Sequence, residues 1–250
     1  MPDLLSVLKK IEFNYLLYAL LSIFPWGLVL YLLHPVFKNR KRIIVIAALI
    51  AGIISTQVII YISGWLWPDV DFQPRRISIL SQTVHLAFIQ AGMMEETFKI
   101  LFIMILSLVF AFDFKVRQWK IESILIAGFV ALGFSLVENY IYIAKQTEEA
   151  RFSTFLGRAV YSSNIHLLIN LCFALFMIKS NFQFNREKIV YLFYGYVLAI
   201  IQHGVVDFFL LPVSRFGNWV ATALFVGIWV WVVQDMRKFI YKTNLFYRDG

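Results

Sequence analysis

The sequence predicts an all-α protein, a polytopic bundle of helices set in a membrane. Three observations carry that prediction. The 250 residues are 60% hydrophobic and only 15% charged, whereas soluble domains are nearer half apolar and a quarter charged. The apolar residues fall in about seven runs, each near or above the roughly 20 residues a helix needs to cross about 30 Å of hydrocarbon. The basic residues behind the net charge of +8 gather in alternate loops, as in multi-pass proteins whose Lys- and Arg-rich loops stay cytoplasmic. This composition excludes a disordered chain, a disulfide scaffold and a typical cytosolic enzyme. The single cysteine, Cys172, allows no intrachain disulfide and leaves the redox compartment unread. Membrane lipid is an expected partner; nucleic acid has no support.

Element by element, the runs cover roughly 13–33, 43–66, 79–112, 121–144, 153–178, 190–212 and 217–235. The first is too long for a signal-peptide core and lacks an A-x-A-like cleavage site, so it reads as a retained helix. The third is too long for one crossing: about 34 helical residues reach roughly 51 Å. Ala91-Gly92 offers a break. One crossing over about 93–112, preceded by an interfacial or re-entrant helix, is therefore expected. The loop charges agree. Fourteen basic residues follow odd-numbered spans (Lys38, Arg40, Lys41, Arg42; Lys115, Arg117, Lys120; Lys179, Arg186, Lys188; Arg237, Lys238, Lys242, Arg248). Eight lie on the other side (Lys9, Lys10, Arg75, Arg76, Lys145, Arg151, Arg158, Arg215). This places the N-terminus outside and the C-terminus in the cytoplasm. Trp65, Trp67, Trp119 and Trp219 stand at span ends, as interfacial aromatics do. Residues 1–250 read as a single domain whose motif-bearing core is about 79–212.

Ionisable groups inside these spans are the functional signal, because a charge at mid-bilayer costs about 2.5–3.5 kcal/mol on insertion scales. Glu95, Glu96 and Lys99 lie in EETFK, Glu138 in GFSLVEN, His166 in SSNIH, and His203 and Asp207 in HGVVD. They come from the third, fourth, fifth and sixth spans. Under the topology above, all fall at similar depth on the outer side; Glu138, for example, is about 9 Å below the outer face. The i+4 spacing sets Lys99 beside Glu95 and Asp207 beside His203, and Lys99 is also i+3 from Glu96. Gly133 and Gly204 permit close helix approach. Four acids near one another in a low dielectric cannot all ionise unless a cation sits among them. Glu, Asp and His suit a first-row metal, and catalytic Zn²⁺ keeps three protein ligands plus water. The metal candidates are Glu96, Glu138, His166, His203 and Asp207. A metal-free alternative has a glutamate activate water directly, with a His or protonated carboxyl stabilising the oxyanion.

Each signal also has a plainer reading. Glu138 and the His203–Asp207 pair would serve as buried hydrogen-bonding groups, and Arg158 as an interfacial anchor or a partner for a site carboxylate. His34 reads as interfacial, His85 as structural, and Asp69 with Asp71 as a solvated loop. Two whole-protein alternatives share the buried carboxylates: a cation or proton transporter, and a non-catalytic membrane scaffold.

The segments EETFK (Glu95 to Lys99), GFSLVENYIY (Gly133 to Tyr142), RAVYSSNIH (Arg158 to His166) and HGVVD (His203 to Asp207) resemble, in the same order, the PrsW family of bacterial intramembrane proteases. The resemblance covers roughly residues 90 to 210. More distantly, the arrangement is similar to the CAAX prenyl endopeptidase and bacterial self-immunity protease superfamily. The resemblance implies hydrolysis of a peptide bond in a membrane-tethered protein, within the bacterial cell membrane. Some such proteins cut membrane-bound anti-sigma factors at an extracytoplasmic site. By analogy Glu95 activates water and Glu96 is essential beside it. Glu138 takes the second-motif position, His203 and Asp207 the third, with His166 also in the site and Lys99, Asn139 and Arg158 in support. Lys99, Glu138 and Asp207 depart from the CAAX-type pattern of Arg, His and Asn. Those departures favour one divalent metal, zinc first, over a copy of the metal-free mechanism.

Overall fold

The computed structural model describes residues 12–32, 41–66, 79–211 and 214–248. His34, Trp67, Asp69 and Asp71 lie outside them. Nine α-helices make up the described fold: α1 (Phe13–Leu32), α2 (Lys41–Leu66), α3 (Ile79–Val84), α4 (Met94–Phe110), α5 (Glu122–Ala144), α6 (Glu148–Gly157), α7 (Ser163–Ser180), α8 (Asn185–Leu210) and α9 (Arg215–Arg248). Two π-helical stretches, His85–Met93 and Arg158–Ser162, join α3 to α4 and α6 to α7 without a break. The α4–α5 connection is a small antiparallel hairpin, β1 (Phe112–Asp113) with β2 (Gln118–Trp119).

Among the described residues six helices, against the about seven runs expected, are long and apolar enough to cross a membrane: Phe13–Leu32, Arg42–Leu66, Glu122–Ala144, Glu148–Ser180, Arg186–Leu210 and Arg215–Phe239. The protein is thus a multi-pass helical bundle, as expected. The third run differs in detail. The chain does not break at Ala91-Gly92 to give a separate pre-helix; it continues helically from Ile79 to Phe110. The physical reason is packing. A Cβ on Gly92 would stand 2.9 Å from the Ile200 carbonyl oxygen of α8, so this glycine admits a neighbouring backbone rather than ending a helix. Alone, α4 has 17 residues, about 26 Å of helix, and reaches bilayer thickness only with the π-helical stretch before it.

Burial separates centre from periphery. Residues 123–135 of α5 and nearly all of α7 are buried, and these two helices form the axis of the bundle. The others surround them and turn large apolar side chains outward, among them Phe24, Ile43, Val109 and Phe193. That is the burial pattern of helices solvated by lipid. Trp65 and Trp219 are strongly exposed at span ends. Glycines set the tightest approach. A Cβ on Gly52 would meet the Val130 carbonyl oxygen at 2.1 Å, and one on Gly133 the Leu49 carbonyl oxygen at 2.2 Å, so α2 and α5 touch backbone to backbone. Gly204 does the same for the ring of Phe88, 2.4 Å from its ideal Cβ.

Candidate active site

Four helices deliver most of the polar groups, and the first two turns of α4 supply three. Glu96 and Lys99 are fully buried, and Lys99 Nζ lies 2.6 Å from Glu96 Oε1 and 3.5 Å from Glu95 Oε2. The same ammonium is 3.2 Å from His166 Nδ1 of α7 and 4.2 Å from the centroid of the Phe134 ring. An ammonium only donates, so His166 Nδ1 accepts and the ring proton is on Nε2. There it is donated to Glu138 Oε2 at 2.9 Å. Glu138 also pairs with Arg158 from the π-helical turn.

His203 of α8 completes the cluster. Its Nδ1 lies 2.7 Å from Glu96 Oε1, where a carboxylate can only accept. The Nε2 of neutral His203 therefore carries a lone pair, and it faces Asp207 Oδ2 at 3.4 Å and Glu95 Oε2 at 3.7 Å. A lone pair pointed at two carboxylates calls for a proton or a cation between them. The two imidazole rings stand 5.1 Å apart, centroid to centroid, edge to face. A cavity of about 410 Å³ opens beside them, with Glu138, Tyr142, Arg158, His166, His203 and Asp207 in its wall. That is within the roughly 300–1,000 Å³ of small-molecule and cofactor sites.

The structure therefore brings every sequence-predicted site residue into one connected polar cluster. Lys99 holds Glu96, Arg158 holds Glu138, and Asn139 receives the Arg158 Nε–H at 2.7 Å. Asn170 was not anticipated. It is fully buried and donates to Glu96 Oε2 at 3.3 Å and to the His166 carbonyl at 3.0 Å. Its signal is a polar amide at i+4 from His166 within the apolar stretch Leu167 to Phe173. Ser22 of α1 and Ser163 of α7 also join, through Asn139. A serine in an apolar helix usually bonds to its own backbone, so neither carried a sequence signal. His85 stands in the first π-helical stretch.

The donor set suits a divalent metal. Glu95, His166 and His203 each offer one ligand atom, all within 4.8 Å of one another. This group shares His166 and His203 with the expected ligands and adds Glu95. Glu96 is taken up by Lys99, His203 and Asn170, and Glu138 by Arg158 and His166. Two imidazoles and a carboxylate are a set that zinc uses. The formal charges agree: Glu95, Glu96, Glu138 and Asp207 against Lys99 and Arg158 leave an excess of two negative charges. Glu96 behind His203 and Glu138 behind His166 are the outer carboxylates that metal-ligating histidines require. At His166 Nδ1 a metal and the Lys99 ammonium compete for one nitrogen. The residues fit the group.

A family model described as PrsW family intramembrane metalloprotease matches residues 40–233. The chain belongs to the PrsW family. Among PrsW relatives, Protease PrsW of Clostridioides difficile is 28% identical over 165 residues, 66% of this chain and 68% of that protein. Protease PrsW of Shouchella clausii is 25% identical over 209 residues, 82% of this chain and 88% of that protein. Protease PrsW of Bacillus subtilis is 26% identical over 145 residues, 58% and 62%. No solved structure matches. The PrsW match takes in all four motif segments and α2 to α8; α1 precedes it. This chain is a multi-pass membrane peptidase of the PrsW type.

Proposed function

We propose that the chain is an endopeptidase that hydrolyses a peptide bond of a membrane-tethered protein, an anti-sigma factor being the kind of substrate the family suggests. Hydrolysis takes place on the extracytoplasmic side, and zinc is bound by Glu95, His166 and His203. The observation that carries this reading is the meeting of those three ligand atoms within 4.8 Å, drawn from three different helices. Residues 1–250 act as one intramembrane unit, its N-terminus outside and its C-terminus in the cytoplasm.

A divalent metal at this position supplies a Lewis acid that polarises a carbonyl and acidifies water. The chain's own groups do the rest. Glu96 accepts the Nδ1–H of His203 and so keeps its other nitrogen turned toward Glu95 and Asp207. Glu138, anchored by Arg158, does the same for His166 through Nε2. Asp207 is the freest carboxylate in the cavity wall. Its side chain is 32% exposed, and its neighbour His203 Nε2 is 3.4 Å away. It accepts a proton as water adds to the scissile carbonyl and returns it to the departing amine, the general-base and general-acid pair of amide hydrolysis.

A second reading has its own support. The polar neighbours of Glu95 are at 3.5 and 3.7 Å, so its carboxylate is loosely held and available to activate water itself. Purified wild type, Glu95→Gln and Asp207→Asn separate the two by zinc content and by cleavage of a tagged single-span substrate. Under the first reading Glu95→Gln loses both zinc and activity, while Asp207→Asn keeps zinc and loses activity. Under the second, Glu95→Gln keeps zinc. Chelator should abolish wild-type cleavage and added zinc restore it; cleavage indifferent to chelator overturns the metal in both readings.

A further inference from the structure

Helix α1 lies before the segment that the family model matches, residues 40–233, yet hydrogen bonds tie it to the site. Asn139 is fully buried and uses its whole carboxamide. Its Nδ2 donates to Ser22 Oγ at 2.6 Å and to Ser163 Oγ at 2.8 Å, and its Oδ1 accepts from Arg158 Nε at 2.7 Å. The orientation of the amide is fixed by chemistry, since a guanidinium has donors only and the oxygen must face it. Ser22 Oγ spends its own proton on the Ala19 carbonyl at 2.7 Å, which leaves its lone pairs for Asn139. Arg158 pairs with Glu138, stacks on the Tyr142 ring with its guanidinium carbon 4.2 Å from the centroid, and through Glu138 reaches His166.

A second bond from α1 reaches the same place. Trp26 Nε1, one helical turn beyond Ser22, donates to the Ala159 carbonyl at 2.7 Å. Ala159 follows Arg158 in the π-helical turn, and such single-turn deviations recur at functional sites. Thus α1 grips the Arg158 turn at its backbone through Trp26 and at its side chain through Ser22 and Asn139. Packing alone would need neither bond. Ser55 of α2 is the comparison: equally buried, it donates to the Gly52 carbonyl of its own helix at 2.7 Å.

We propose that α1 is a working part of the active site, with Ser22 a positioning residue that acts through Asn139 to set the Arg158 guanidinium on Glu138 and so orient His166. This rests on the metallopeptidase reading above. Ser22→Ala leaves Asn139 with one N–H unpartnered, and the slack passes along the chain of bonds.

The experiment uses the full chain in detergent, with zinc affinity from competition against a chromophoric chelator, and kcat and KM on the tagged single-span substrate. Loss of a group that orients a metal-binding histidine typically costs about 10–100-fold in metal affinity or activity. Further removed from the metal, Ser22→Ala should weaken zinc about three- to tenfold and lower kcat by a similar factor, with KM nearly constant. Ser22→Thr, which keeps the hydroxyl, restores both, and Ser55→Ala changes neither. In an Arg158→Lys background Ser22→Ala costs less than about twofold, because residues acting through one another are not additive. Should Ser22→Ala fail to fold, near-isosteric Ser22→Cys takes its place with the same expectations. A Ser22→Ala protein that matches Ser55→Ala, or one that loses the same factor in both Arg158 backgrounds, overturns the proposal. A wild type that binds zinc without cleaving defeats the peptidase reading alone, and the zinc titrations still decide the role of Ser22. A wild type that neither binds zinc nor cleaves defeats both.

Discussion

Glu96 receives three partners at one buried carboxylate: Lys99 at 2.6 Å, His203 at 2.7 Å and Asn170 at 3.3 Å. A charge so deep stands only because each oxygen is answered. Removing one partner of a buried ion pair costs about 3–5 kcal/mol, whereas replacing both can be close to neutral. Lys99→Met should therefore lower stability by about that amount, read from thermal unfolding in detergent. Glu96→Gln combined with Lys99→Met should recover much of the loss; a double variant no more stable than Lys99→Met alone would contradict the pairing. The sequence placed Lys99 within reach of both glutamates by helical spacing. That it sits closer to Glu96 than to Glu95, and that it also reaches His166, depended on how α4 packs against α7.

At the scale of elements, glycine decides how closely helices meet. Because an ideal Cβ on Gly133 would sit 2.2 Å from the Leu49 carbonyl oxygen, Gly133→Ala must push α2 from α5 and cost about 1–3 kcal/mol, the usual penalty of overpacking. Gly227 in α9 has nothing within 4 Å of that position. Gly227→Ala should be neutral or stabilise by up to about 1 kcal/mol through helix propensity. Equal shifts in unfolding temperature for the two variants would refute this account of the contact. The hairpin between α4 and α5, which the apolar pattern did not reveal, carries its own pH response. Backbone N–H groups of Lys115 and Val116 donate to Asp113 Oδ1 and hold its carboxyl below the usual range. A folded pKa below the unfolded one means a contribution present above the unfolded value of about 3.9 and lost as the pH falls through the folded one. Amide exchange at Lys115 and Val116, corrected for intrinsic rate, should therefore accelerate below about pH 4. Unchanged protection down to pH 2 would exclude Asp113 as the cause.

For the whole molecule, the charge bias predicts which ends face the cytoplasm. Cysteines introduced at Val116 in the α4–α5 hairpin and at Glu149 in α6 report opposite sides. In intact cells a membrane-impermeant maleimide should label Glu149→Cys at once and Val116→Cys only after permeabilisation, with native Cys172 buried; the reverse pattern inverts the orientation. The sequence alone determined that the chain lies in lipid as a multi-pass helical bundle, and which ionisable residues are out of place there, because apolar length and charge cost are properties of the residues themselves; it counted about seven spanning runs where six helices qualify by their own length. It misjudged Ala91-Gly92, since a glycine ends a helix or admits a neighbour according to what packs against it. Tertiary structure alone decided that Glu95, His166 and His203 stand close enough to share an ion, that Asn170 and Ser22 belong to the network, and that α1 reaches the Arg158 turn. These are distances between helices far apart in the chain, and helical periodicity fixes which residues share a face without fixing which faces meet.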